Sequence, residues 1–204
     1  MQRPLSRAAL ILTALILASS CVAARERTPL IHKAHGLEPL AGRMPMLFVK
    51  ITPVPYSDYM LVVNTPDGAA AYLTVGAAVE AAYMEALSSY FDVDTKRAKY
   101  ADYVAHVQLD RIVLRVEPAG ERIGSFAPSR ITFRHEIPIG TLRGYHMETL
   151  VVEGSAEATL DLSDYKPYMR GVAMAVEDIL YNAEADIAAH FAQVGRSGIY
   201  RLRY

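Results

Sequence analysis

The chain predicts an α+β fold of two layers, a mostly antiparallel sheet with two amphipathic helices on one of its faces. Three observations carry that prediction. Val75, Val79, Tyr83, Leu87 and Phe91 recur every four residues, with Ala78, Ala82 and Ala86 beside them. Val172, Val176, Leu180, Ala183, Ile187 and Phe191 form a second stripe of helical spacing. Between the stripes, Leu150, Val152, Ala156, Ala158, Leu160 and Leu162 alternate with Glu153, Ser155, Glu157, Thr159 and Asp161, the pattern of a strand with one wet side. Helices with one apolar face and a sheet with one polar face close into two layers when both helices cover the same side.

The elements follow in order. "MLFVKI" (46–51), between Pro45 and Pro53, reads as a first strand, and "YMLVVN" (59–64) as a second, ended by the turn "TPDGAA". The first helix starts near Val75 with Thr74 placed to cap it, and Glu80 and Glu85 lie off its apolar stripe. In "ADYVAHVQLDRIVLRVEP" (101–118) the apolar positions are odd from Tyr103 to Leu109 and even from Ile112 to Val116. A strand changes its buried face only where a residue is inserted, so a bulge or bend is expected near Asp110-Arg111. "SRITFRHEIPIG" (129–140) is a further strand, and "DYKPY" (164–168) turns the chain into the second helix, expected to stop near Gly195. The tail "RSGIYRLRY" reads either as an edge strand or as a basic end.

Motifs for catalysis or metal binding do not survive this reading. His135-Glu136 lacks the second histidine that a helical zinc-protease motif places four residues after the first, because position 139 is Ile behind Pro138. His106 and Asp110 share one strand face, where solvated polar side chains are the commoner occupants. His32 and His35 sit three apart in a stretch broken by Pro29, Gly36 and Pro39, which argues against the helix that paired ligands would need. No nucleophile elbow is present, and a lone cysteine excludes an internal disulfide and cysteine-paired zinc sites. The expectation is a non-enzymatic chain with no cofactor and no metal. Thirteen tyrosines and no tryptophan are expected at core edges, with a ligand-stacking surface as the alternative.

That cysteine is the most informative residue. Arg3 and Arg7 give a positive start, Ala8 to Ala18 an apolar run, and Ala18, Ser19 and Ser20 lead into Cys21. The uncharged run from residue 8 to residue 24 has the minimum length of a spanning helix, roughly 17 residues, so a retained anchor is the competing reading, beside cleavage without a lipid. Residues 1–20 are expected to be a signal peptide, 21–44 a tether and 45–204 one periplasmic domain. Removing residues 1–20 takes Arg3 and Arg7 from the 21 basic residues and leaves 19 against 22 acidic ones. No net basic field remains to attract nucleic acid.

The stretch Leu17-Ala18-Ser19-Ser20-Cys21 resembles the lipobox of bacterial lipoproteins, in which the cysteine is acylated and becomes the new N-terminus. It departs from that pattern at Ala18, where the family has Leu. The lipobox, an alanine-rich helix ending in an aromatic, "ADYV" at Ala101 to Val104 opening a strand, a wet-faced strand and a closing helix together resemble small Gram-negative envelope lipoproteins of the YajG type. More distantly the layout is similar to ABC-transport auxiliary and lipopolysaccharide-assembly lipoproteins. The resemblance implies lipidation at Cys21, with palmitate among the acyl chains. It also implies the periplasmic side of the outer membrane, since Val22 replaces the Asp that retains such proteins at the inner one. The role it implies is that of an accessory or adaptor subunit with an envelope protein partner; the alternative is a periplasmic binding module for a glycan, peptide or lipid. No catalytic residue comes with these families.

Overall fold

The computed structural model of the chain describes residues 27–39, 44–66, 68–197 and 200. Its longest strands are β8 (Phe126–Thr141) and β9 (His146–Asp161), an antiparallel hairpin around which the rest is arranged. Their alternation is the physical reason for the layers. Ile131, Phe133, Ile137 and Ile139 of β8 are buried with Leu150, Val152 and Leu160 of β9. On the opposite face Arg130 pairs with Glu157 and Arg134 with Glu153, each at 3.0 Å and each directly across the ladder. Such exposed pairs contribute roughly 0–1 kcal/mol apiece. They mark the register more than they stabilise it.

The other edge of β8 takes two shorter strands end to end. β6 (Tyr103–Gln108) pairs with the last part of β8 and β7 (Val113–Pro118) with the first part. Between them a 3₁₀ turn, Leu109–Arg111, supplies the interruption expected near Asp110-Arg111. The strand changes its buried face there. His135, buried on β8, donates from Nε2 to the Gln108 carbonyl at 2.9 Å, and its Nδ1 accepts from the Tyr83 hydroxyl at 2.9 Å. On the far side of β6, β2 (Met46–Thr52) runs parallel both to it and to the short β5 (Asp92–Asp94).

The fold class is α+β, as the periodicities require, but there are two sheets where the sequence suggests one. β3 (Met60–Asn64) turns through residues 65–69 into β4 (Ala70–Thr74), and β1 (Arg27–Pro29) adds in parallel to β4. The turn needs Gly68 at φ +78°. Leu61, Val63 and Leu73 of this small sheet join the same buried cluster as the large one. Antiparallel pairing still predominates, with β1–β4, β2–β5 and β2–β6 as the parallel exceptions.

Helix α1 (Gly76–Ser88) buries Val79, Tyr83 and Leu87 together with Ala78, Ala82 and Ala86. Two expectations for it change. Thr74 is not its cap: it is spent in the β4 ladder opposite Met60, and Val75 opens the helix without a side-chain bond. Phe91 lies beyond the last turn, yet remains buried because its N–H still reaches the Leu87 carbonyl at 2.9 Å. The helix begins at a glycine for want of space. A Cβ on residue 76 would stand 1.6 Å from the Tyr56 carbonyl oxygen. Gly76→Ala is therefore expected to force the backbone apart and lower stability by about 1–3 kcal/mol, the range for overpacking. An unchanged urea midpoint would contradict that packing.

Helix α2 (Tyr165–Ser197) spans about 50 Å and buries the whole predicted stripe from Val172 to Phe191. It lies over the apolar face of β9, where glycines allow close approach. A Cβ at Gly154 would meet Ile179 at 2.6 Å, and one at Gly171 would meet Leu160 at 2.7 Å. α1 covers the same face, since Tyr83 reaches His135 there. The helix ends near Gly195, as expected. Its last residue is Ser197, and the missing side chain at Gly195 admits the Tyr90 ring, 2.6 Å from where a Cβ would be. Phe91, Tyr103, Phe191 and Tyr200 stack edge to face beside it, so several tyrosines lie deeper than the core-edge positions expected of them.

Candidate functional site

Residues 27–39, expected as part of a free tether, lie on the domain. β1 seats them in the small sheet and Leu30 is buried behind it. The chain then crosses both helices and is fastened at nearly every residue. The Ile31 N–H donates to Glu177 Oε1 at 2.9 Å, and Lys33 Nζ donates to Asp178 Oδ1 at 2.7 Å. The bond to Asp178 holds the Lys33 pKa above its ordinary value. His35 stacks flat on Tyr181, with ring centroids 3.6 Å apart, and its Nε2 meets the Tyr181 carbonyl. Gly36, at φ +67°, turns its own N–H and that of Leu37 onto Glu85 Oε1, at 2.6 and 3.2 Å. Two successive N–H groups converging on one anionic oxygen form a nest, and the positive φ is what glycine supplies to it. The folded unit therefore includes residues 27–39 and is not confined to the residues from 45 on.

Under this strap three side chains from three elements meet. His32 Nε2 is 3.3 Å from Glu85 Oε2 of α1 and 3.1 Å from Glu184 Oε1 of α2. One ligand-type atom from each lies within 4.8 Å of the others. Glu184 is 1 % exposed, and its Oε2 has no hydrogen-bond partner among the described residues. Burial raises the Glu184 pKa; His32 acts to lower it and the neighbouring Glu85 to raise it again. A buried carboxylate with one oxygen unpartnered is costly. In the sequence His32 is set aside because Gly36 and the prolines argue against a helix for paired ligands; its partners come instead from 53 and 152 residues away.

The other singled-out residues distribute as follows. Cys21 lies outside the described residues. Five residues, 22–26, lie between it and Arg27, a span of roughly 20 Å when fully extended. His106 is exposed on β6, while His135 is enclosed by Tyr83 and Gln108 instead of facing Glu136 toward a metal. A third histidine, His190 of α2, sits 3.3 Å from Glu148, whose other oxygen accepts the Tyr200 hydroxyl at 2.6 Å. Exposed Tyr100 and Tyr145 lie in separate turns, and a face of Tyr181 is occupied by His35. Among the described residues no helix is long and apolar enough to cross a membrane.

His135 gives a pH prediction. Desolvation lowers its pKa, against the raising effects of the Gln108 carbonyl, Asp110 and Glu136. The unfolded chain therefore binds more protons than the folded one below about pH 6.5, so its contribution is present above that pH and lost as pH falls. Urea midpoints taken from pH 7.5 to 5 are expected to fall, and to fall less in His135→Gln. Identical slopes would contradict the buried neutral ring.

One further feature is open. Among the described residues β9 pairs only with β8, leaving its second edge without a strand partner over 16 residues. A groove of about 290 Å³ runs along it, between Thr149–Glu153 on the strand and Ala183, Asp186, Ile187 and His190 on α2.

No family model and no curated protein matches the chain. Solved structures share part of its arrangement. It is similar to a minor lipoprotein from Acinetobacter baumannii, with a TM-score of 0.42 and 9% identity over 72% of this chain and 94% of that one. It is also similar to a Xanthomonas campestris protein of family DUF330, with a TM-score of 0.44 and 12% identity over 85% of this chain and 98% of that one. At these scores the likeness assigns neither family nor role.

Proposed function

We propose that this protein is a lipid-anchored, non-enzymatic envelope protein, held through Cys21 at the periplasmic side of the outer membrane. It acts there by binding, as an accessory or adaptor subunit of a transport or assembly complex. The n-region, apolar run and cysteine at residues 3–21 support the anchor. The observation that carries the binding role is the open edge of β9 with its groove against α2. An unpaired edge presents a row of N–H and C=O groups, and a partner segment in extended conformation satisfies them by adding a strand. Leu150 and Ile187 in the groove floor would receive alternate side chains of that segment, while Asp186 and His190 supply polar contacts.

Photo-crosslinking in intact cells tests this reading. A crosslinking residue at Thr149 or Asp186 is expected to yield one adduct of defined protein mass, absent from a control at Glu121 in the distant β7–β8 loop. Adducts of small mass at the same two positions would replace the adaptor by a ligand-binding module. Equal yields at all three positions would contradict the assignment of the edge.

A further inference from the structure

We propose that His32, Glu85 and Glu184 form a binding site for one divalent transition-metal ion, zinc foremost, which staples the N-terminal strap to both helices.

The geometry is the first argument. Zinc bound to imidazole nitrogen and carboxylate oxygen at about 2.0–2.2 Å places neighbouring tetrahedral ligands about 3.4 Å apart. The two separations from His32 Nε2 are 3.3 and 3.1 Å. A single ring nitrogen facing two carboxylates can donate at most one proton between them, whereas one ion between the three atoms engages all of them. One imidazole and two carboxylates, with a water in the fourth place, form a ligand set that zinc accepts.

Charge is the second argument. With both glutamates ionised the cluster carries two negative charges beside a neutral imidazole, or a net one if His32 is protonated. A divalent ion brings the sum to zero and relieves the desolvation that burial imposes on Glu184. The third argument is the Glu184 carboxylate, 99 % removed from solvent, whose Oε2 has no partner among the described residues and gains one from an ion that engages both of its oxygens. Native structures rarely leave such an atom without a partner.

The surroundings also fit. Glu85 is oriented by the Gly36 and Leu37 N–H groups on Oε1, which leaves Oε2 turned to His32, the arrangement that outer-shell bonds give a metal-binding carboxylate. His32 and Glu85 keep 20 % and 17 % of their side-chain surface in solvent, so an ion has a route in. Only three elements contribute, and none of them coordinates alone: an ion binds when the strap is down and is released when it lifts.

The consequence for position, which rests on the anchoring proposed above, is a leash of two lengths. With the strap stapled, residues 22–26 lie between Cys21 and β1. With it lifted, residues 22–45 lie between Cys21 and β2 at Met46, nearly five times as many.

Zinc titration of the full-length chain, stripped with EDTA and held in detergent, tests the site without reference to the lipid. The parent and His106→Ala are expected to bind one equivalent and to melt at higher temperature with zinc present. His32→Ala and Glu184→Gln should weaken binding about 100-fold or more. Amide exchange over residues 31–37 should slow on zinc addition in the parent and in His106→Ala, and not in His32→Ala or Glu184→Gln. Substoichiometric binding by the parent, or equal affinity in His32→Ala, overturns the site. Should Glu184→Gln fail to fold, His32→Ala decides, because its side chain lies on the strap and outside the core. Loss of the anchor with zinc binding intact would refute the leash and leave the metal site standing.

Discussion

Leu160→Asp is expected to unfold the domain, while Glu157→Lys on the same strand leaves its thermal midpoint nearly unchanged. Leu160 is 0 % exposed and packs onto α2 where Gly171 lets the helix approach. An unpaired carboxylate there costs several kcal/mol, and the leucine's own packing, worth about 2–5 kcal/mol, is lost with it. Set against a typical total stability of about 5–15 kcal/mol, the substitution removes most of the margin. Glu157 points the other way. Its 3.0 Å pair with Arg130 is open to solvent on both sides, so a lysine there forfeits at most about 1 kcal/mol, like-charge repulsion included. Circular dichroism melts of the two variants separate the cases. An outcome with Glu157→Lys as the damaging change would mean a one-residue slip of β9 against β8, which exchanges its faces along the whole hairpin.

The hairpin and the helices were legible because each repeats one physical signal many times. From Leu150 to Asp161 burial alternates as the letters do, and every residue of the Val172–Phe191 stripe is buried. The switch of parity at Asp110-Arg111 was legible for the same reason, although its form, a 3₁₀ turn with His135 satisfying Gln108, was not. Short strands carry too few residues for a period to show. β1 and β5 have three each, both are joined to their partners in parallel, and β4 hides in the alanine-rich approach to α1. That is why one sheet was expected and two are found.

The His32 cluster fails differently. Its partners are remote in sequence, and no local pattern brings them together. One signal was present, since Glu184 lies four residues after Leu180 and three before Ile187, a carboxylate set into an otherwise apolar stripe. A buried acid in that place asks for a partner, and Gly36 with its positive φ is what lets the strap bring one.

Cys21→Ala is the other change with an all-or-none outcome. A processed lipoprotein owes its membrane attachment to acyl chains that contribute about 0.8 kcal/mol for each buried methylene, and stable anchoring takes two or more chains. No helix among the described residues offers a substitute. Without the thiol there is no acceptor for the first lipid, so neither later acylation nor retention follows. The short stretch between Cys21 and Arg27 adds a positional expectation: the lipidated protein sits within roughly 20 Å of chain from the bilayer surface when the strap is docked.

Metabolic labelling with a clickable palmitate, read on the immunoprecipitated protein after membrane fractionation, is the most direct test. The parent is predicted to carry label and to sediment with outer membranes, and Cys21→Ala to carry none and to leave that fraction. Equal label on the two, or an unlabelled parent still held in the membrane, would contradict the anchor on which the proposed function stands.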